Sequence, residues 1–146
     1  MVCHGNLNRS PLAAAVLDYY AGCGLRIKSA GFFSEGEPAN PDIIDYVAQP
    51  YASRLKRHRS QYVTLQLLTW AGLIVFMDNN NESLLQKLID DNNVPTHRIC
   101  LAKFLDKKLD EIPDPGFMEP GTPEFGYTIE LIEEAARNLA NELIDP

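Results

Sequence analysis

The spacing of apolar residues divides the chain into helices and strands in turn. Leu12, Val16 and Tyr20 recur at fours with alanines between them, which predicts a helix over Leu12 to Tyr20. Gly22 and Gly24 stop it. From Leu25 to Ala30 the residues Leu25, Ile27 and Ser29 alternate with Arg26 and Lys28, the period of a strand at a sheet edge. Ser29-Ala30-Gly31 ends it, and a loop of glycine, proline and acids runs to Pro41. Asn40-Pro41 then opens a short helix with Ile43, Ile44 and Val47 on its apolar face, which Pro50 closes. Thr64 can cap another short helix through Trp70. Leu73 to Met77 is unbroken apolar sequence, the mark of a strand buried on both faces, and Asp78 follows at its carboxyl end. Asn79 to Asn81 cap a helix whose face is Leu84, Leu85, Leu88 and Ile89. Arg98 to Ala102 predicts a fourth strand, with Cys100 in the core. Asp106 to Gly121 is a loop of a length that is often functional inside a compact domain. Thr122-Pro123-Glu124 starts the last helix, in which Phe125, Ile129, Ile132, Ala136, Leu139 and Leu143 form one core-facing stripe.

Strands alternating with helices predict an α/β fold, a mostly parallel sheet with helices on both faces and right-handed crossovers. Ligands in such sheets bind outside the carboxyl ends of the strands. With 146 residues and no repeat or composition break, residues 1–146 read as one domain. A net charge of −7 argues against nucleic acid as a partner, which needs a basic face. A phosphate ligand stays open, because local N–H groups and one arginine can outweigh the global sign. No apolar run has the length to span a bilayer and no signal peptide is visible, so no membrane partner is expected. Cysteines at 3, 23 and 100 make neither a metal spacing nor an even disulfide set, which fits a reducing cytoplasm.

The stretch that carries chemistry is Cys3-His4-Gly5-Asn6-Leu7-Asn8-Arg9-Ser10-Pro11. Gly5 and Asn6 tolerate positive φ, so the backbone can curl until successive N–H groups point inward as a nest for an oxyanion. Pro11 suits the first helical turn, and the helix start adds orphan donors and positive partial charge. Arg9 offers a planar fork matched to two phosphate oxygens. Cys3 in that field is placed to act as a thiolate nucleophile. The bland reading is a buried structural cysteine before an ordinary helix.

This segment resembles the C-x5-R-[ST] phosphate loop of cysteine-based phosphatases. In detail, C-x-G-N-x-x-R-S-P is similar to the low-molecular-weight protein tyrosine phosphatase family, which also includes the thioredoxin-coupled arsenate reductases. The resemblance covers most of the chain and implies a four-stranded sheet. It implies hydrolysis of a phosphate monoester, on a phosphotyrosine protein or a small aryl phosphate, through a cysteinyl-phosphate intermediate. His4 to Ser10 would form the phosphate loop, with Cys3 as nucleophile and Arg9 holding the phosphoryl oxygens. The general acid of the family lies in an Asp-Pro followed by two aromatics. Asp114-Pro115 matches that pair, Gly116 departs from the first aromatic and Phe117 keeps the second. Asp-Pro is also a common turn starter.

Around this core the family supports its loop through a serine in "SAG", matched by Ser29, and a histidine matched by His58. The segment His58-Arg59-Ser60-Gln61-Tyr62-Val63-Thr64 resembles the family's H-x-[SA]-R-Q-x-T, departing at Gln61 and Tyr62. His58 is thereby expected beside Asn6, and Ser10 is expected to donate to the Cys3 thiolate. Ser29 reads equally as an ordinary strand-end serine. Phe32 and Phe33, with Phe117, are candidates for an aromatic wall beside the site, or for simple packing. The basic run Arg54 to Arg59 could attract anions, or be a solvated face. Only Met1 and Val2 precede Cys3, where the family has a fuller strand. That strand is expected to be either clipped or continued upstream, and the loop less firmly anchored. No metal or other cofactor is expected, because Arg9 and the amides supply the positive charge. Two further readings stay open: arsenate reduction, for which Cys23 and Cys100 do not follow the family's spacing, and a non-catalytic phosphate-binding module.

Overall fold

A computed structural model describes residues 1–146. Helix α1 (Arg9–Ala21) starts earlier than its apolar periodicity predicts, directly from the Cys3–Ser10 segment. Leu12 to Leu17 are buried without a break, so α1 is an inner helix with no polar face along this stretch. It packs against α6 (Pro123–Ile144) and α3 (Gln49–Arg57). Helix α2 (Pro41–Tyr46) is capped by Asn40, whose side chain accepts from Asp42 N–H. Pro50, read from sequence as a terminator, instead sits in the first turn of α3, where a missing N–H costs nothing. Arg54, Lys56 and Arg57 then fall in the last turn of α3, where cations offset the carbonyl end of the helix.

Helix α4 (Leu65–Trp70) is capped by Thr64, as its residue type predicts, whereas α5 (Asn79–Asn92) is capped by Asp78 rather than by Asn79 to Asn81, which form its first turn. Between them runs β1 (Ile74–Phe76), buried at every position. Its parallel partner is β2 (Arg98–Cys100), in the register Ile74 to Arg98, Val75 to Ile99 and Phe76 to Cys100. The chain leaves β2 in a 3-10 turn, Leu101–Phe104, rather than extending to Ala102.

Of the four strands expected, two form a regular ladder, β1 with β2. Val2 extends it by single parallel bridges, to Phe76 on one side and to Ala30 on the other, and Gly31 bridges Tyr62 beyond. Leu25 to Ser29 forms no ladder. A ladder needs consecutive pairs, and Met1 and Val2 offer one on each side: Val2 N–H donates to Val75 at 2.8 Å and Ala30 N–H to Met1 at 3.0 Å. A groove of about 480 Å³ lined by Val2, Leu25, Ile27, Ile74, Val75 and Leu139 lies alongside. No helix is long and apolar enough to cross a membrane.

Val2, Leu12, Val16, β1, Leu85, Ile112 and the inner stripe of α6 share one hydrophobic core. Cys3 leaves that core directly from Val2, and Asp78 directly from Met77. Both residues therefore emerge at the carboxyl ends of the parallel segments.

Candidate active site

The segment from His4 to Asn8 is held from outside through its carbonyls. His4 C=O accepts from Phe32 N–H at 2.8 Å, Leu7 C=O from Asn40 N–H at 3.0 Å and Asn8 C=O from Leu12 N–H at 3.4 Å. Gly5 C=O accepts from the Ser34 hydroxyl, and Asn6 C=O from His58 Nε2 at 2.7 Å. The N–H groups of the same five residues donate to no group of the protein. A curled backbone with every carbonyl tied outward turns its amides to the inside, and such a cup binds anions. Asn6 supplies the curl with φ of 56°. Gly5, expected to share that role, keeps a negative φ, so one left-handed residue suffices.

Asn6 is fully buried and its amide orientation is fixed by its neighbours. Gln61 N–H can only donate, and it meets Asn6 Oδ1 at 3.0 Å. Asn6 Nδ2 must then donate to Ser10 Oγ, at 2.9 Å. With its oxygen occupied as acceptor, Ser10 turns its O–H to Cys3 Sγ, 3.0 Å away. Cys3 itself is 2% exposed, at the floor of the cup. The chain of donors runs one way, from backbone to sulfur, so the sulfur is the acceptor at its end.

Arg9 lies at the start of α1 and is 2% exposed. Its Nη1 donates to Asp78 at 2.6 Å and to Ile112 C=O at 2.9 Å, and its Nη2 is 3.4 Å from Asp114 Oδ2. Its buried Nε has no partner. A buried guanidinium held by two carboxylates on one side, with a spare donor, can receive an oxyanion. Asp78 ends a buried strand, at the side of the sheet where ligands are expected to bind. An acid at the carboxyl end of a buried strand was the signal that it belongs to the site. Asp114 begins the 3-10 turn Pro115–Phe117 and accepts from Gly116 N–H at 2.9 Å.

Burial lowers His58 from its ordinary value. Its bond to Asn6 C=O works against that shift, and Arg54 and Arg59 add to it. Since a carbonyl only accepts, His58 donates through Nε2. Ser29 reaches the loop differently from the expectation: its carbonyl, not its hydroxyl, accepts, from Gln61 Nε2 at 2.9 Å. Gln61, one of the departures from the family pattern, is thus the link between Ser29 and Asn6. Of the aromatic candidates, Phe33 is exposed and stacks on His4 with ring centroids 3.9 Å apart. Phe117 is 90% exposed beside Gly116, whereas Phe32 turns to pack on the core. Sequence reasoning missed Gly31 as a site residue. A Cβ there would lie 2.7 Å from Asn6 N, so only glycine lets the loop rest on this strand end.

The family model for low molecular weight phosphotyrosine protein phosphatase matches residues 1–145. The chain belongs to that family. Its members are cysteine-based phosphatases, and this protein is a hydrolase of that kind. The chain is 34% identical over 87 residues to a probable low molecular weight protein-tyrosine-phosphatase, EpsP, of Ralstonia nicotianae, a match covering 59% of each chain. It is 29% identical over 145 residues to a protein-arginine-phosphatase of Geobacillus stearothermophilus, covering 99% of this chain and 88% of that one. Among solved structures, Vibrio vulnificus Wzb in complex with benzylphosphonate matches with a TM-score of 0.78 at 25% identity, over 97% of this chain and 94% of that one.

Proposed function

We propose that this phosphatase hydrolyses tyrosine or aryl phosphate monoesters through a cysteinyl-phosphate intermediate. The observation that carries the reading is the cup itself: five tied carbonyls, five free amides and a buried thiol at the centre. Cys3 Sγ attacks phosphorus in line, and the sulfur–phosphorus bond forms as the phosphorus–oxygen bond to the leaving group breaks. The amides of His4 to Asn8 and the Arg9 fork hold the equatorial oxygens, whose charge spreads in the transition state. Asp114 gives its proton to the leaving oxygen. It then takes one from the water that attacks the phosphocysteine, and Cys3 leaves as thiolate with the Ser10 hydroxyl donating to it.

The flat His4–Phe33 pair beside the loop suits an aromatic leaving group. The relative named as an arginine phosphatase makes phosphoarginine the competing substrate. Arsenate reduction through a disulfide relay has little to work with. Cys23 lies past the far end of α1, roughly 20 Å along a helix of this length. Cys100 is buried, donates to the carbonyls of Met77 and Asp110, and has its thiol pushed up by burial.

The test is steady-state hydrolysis of p-nitrophenyl phosphate and of matched phosphotyrosine and phosphoarginine peptides. The reading requires turnover of the aryl ester, its loss in Cys3→Ser with phosphate binding kept, and a higher kcat/KM on phosphotyrosine. Preference for phosphoarginine would overturn the substrate class. Turnover by Cys3→Ser would overturn the mechanism.

A further inference from the structure

Asn8 occupies the N-cap position of α1, where an asparagine side chain ordinarily accepts from the first turn of the helix. Here it makes no such bond. Its amide is turned away, to the loop that carries Asp114, and donates to Asp114 Oδ1 at 3.2 Å. The direction of that bond follows from the far end of a relay. Asp42 N–H can only donate, and it meets Asn40 Oδ1 at 3.0 Å. Asn40 must therefore present Nδ2, which lies 2.9 Å from Asn8 Oδ1. Asn8 in turn must present Nδ2 to Asp114. Asn40 is fixed further by its own N–H, bonded to Leu7 C=O. Two amides and a helix start thus aim one donor at the proposed acid.

Gly116 makes this arrangement possible. A Cβ at that position would fall 2.3 Å from Asn8 Nδ2 and 3.1 Å from Asp114 Oδ1. Any side chain at 116 would displace the Asn8 amide. The glycine that departs from the family's first aromatic leaves the space that Asn8 fills.

We propose that Asn8, oriented by Asn40 and admitted by Gly116, is a positioning residue for the general acid. It saturates Asp114 Oδ1 together with Gly116 N–H, so that Oδ2 is the oxygen that carries the proton. Oδ2 is the oxygen that faces Arg9, at 3.4 Å, and so the phosphate end of the site. The proton passes from Oδ2 to the leaving oxygen as the phosphorus–oxygen bond breaks. This rests on the phosphatase mechanism above.

The experiment compares kcat/KM on phenyl phosphate, a poor leaving group that needs the proton, with p-nitrophenyl phosphate, a good one that needs it less. Asn8→Ala lowers kcat/KM on phenyl phosphate about tenfold more than on p-nitrophenyl phosphate, a fraction of what a general acid is worth. The inhibition constant for inorganic phosphate stays within about twofold, because the substitution removes only the side chain and leaves the Asn8 N–H and its tied carbonyl in the cup. Gly116→Ala shows the same leaving-group pattern, and Asn40→Ala a weaker one. The double variant Asn8→Ala/Gly116→Ala loses less than the sum of the two single losses, since the added methyl then meets no amide and only its 3.1 Å approach to Asp114 Oδ1 remains. Equal losses on both substrates, a parallel loss of phosphate affinity, or additive effects in the double variant overturn the proposal. Wild-type protein inert on both esters would sink the mechanism and this proposal together. Active wild type with an Asn8→Ala variant that matches it would sink this proposal alone.

Discussion

Replacing Gly31 by alanine tests whether the anion cup is held in shape by what lies behind it. The new Cβ would meet Asn6 N at 2.7 Å, Gly5 C at 2.9 Å and His4 C=O at 2.9 Å. All three are backbone atoms of the cup, and none can swing aside as a side chain would. To reach ordinary contact at 3.4 Å, the loop and the Gly31 strand end must part by 0.7 Å at the tightest point. Gly31 cannot retreat freely, because its N–H donates to Gln61 at 2.9 Å and its C=O accepts from Val63 at 2.8 Å. Overpacking of this kind costs about 1–3 kcal/mol. For a chain of this size that lowers Tm by roughly 2–4 °C per kcal/mol. The catalytic loss is larger than the loss of stability. Misplacing reacting groups by about 1 Å costs about a hundredfold, so kcat/KM on p-nitrophenyl phosphate should fall between tenfold and about a hundredfold. Affinity for inorganic phosphate should fall with it, since the amides that bind the anion are the atoms displaced. Gly72→Ala is the control, because a Cβ there meets nothing within 4 Å. Full activity and unchanged phosphate affinity in a folded Gly31→Ala protein would refute the view that this contact shapes the cup.

Asp78→Asn weakens the shortest clamp on Arg9 and leaves Asp114 and Ile112 C=O to hold it. Stability should drop by about 1–3 kcal/mol, less than for a fully orphaned buried charge, and phosphate affinity should fall because the guanidinium is no longer aimed. Urea unfolding and phosphate inhibition measure the two effects. Stability should also fall as pH drops below 6.5. The fold lowers His58 beneath that value, so the unfolded chain takes up the proton first; the penalty is absent at higher pH and grows as the unfolded state protonates. Urea midpoints at pH about 7.5 and about 5.5 should converge more closely in His58→Gln than in the wild type. In a Cys3→Ser background, iodoacetamide should modify exposed Cys23 well before Cys100, which is buried and raised; mass spectrometry of peptides settles the order.

The anion cup was legible along the chain because its parts are local. Cys3 to Pro11 are nine consecutive residues, so a left-handed asparagine, an arginine one turn later and a helix start can be read together as a nest. Three helix starts were legible for the same reason: Asn40, Thr64 and Thr122 cap their own first turns within three residues. Pro50 misled because proline favours both the end of one helix and the first turn of the next, and only the packing of Tyr51, Ala52 and Leu55 into the core separates the two.

What supports the cup could not be read in this way. Phe32, Ser34, Asn40 and His58 tie its carbonyls, yet they stand up to 52 residues from the groups they bond. Asp78 meets Arg9 across 69 residues, Asp114 meets it from beyond that, and Asn8 reaches Asp114 across 106. Nothing in a run of residue types says that a glycine at 116 leaves room for an amide at 8. Local propensity and hydrophobic period act over a few residues, so they place helices and a nest. The sheet's width, the carboxylates on Arg9 and the relay onto Asp114 depend on which distant segments the core brings together. That is set by packing, which no single stretch of the chain contains.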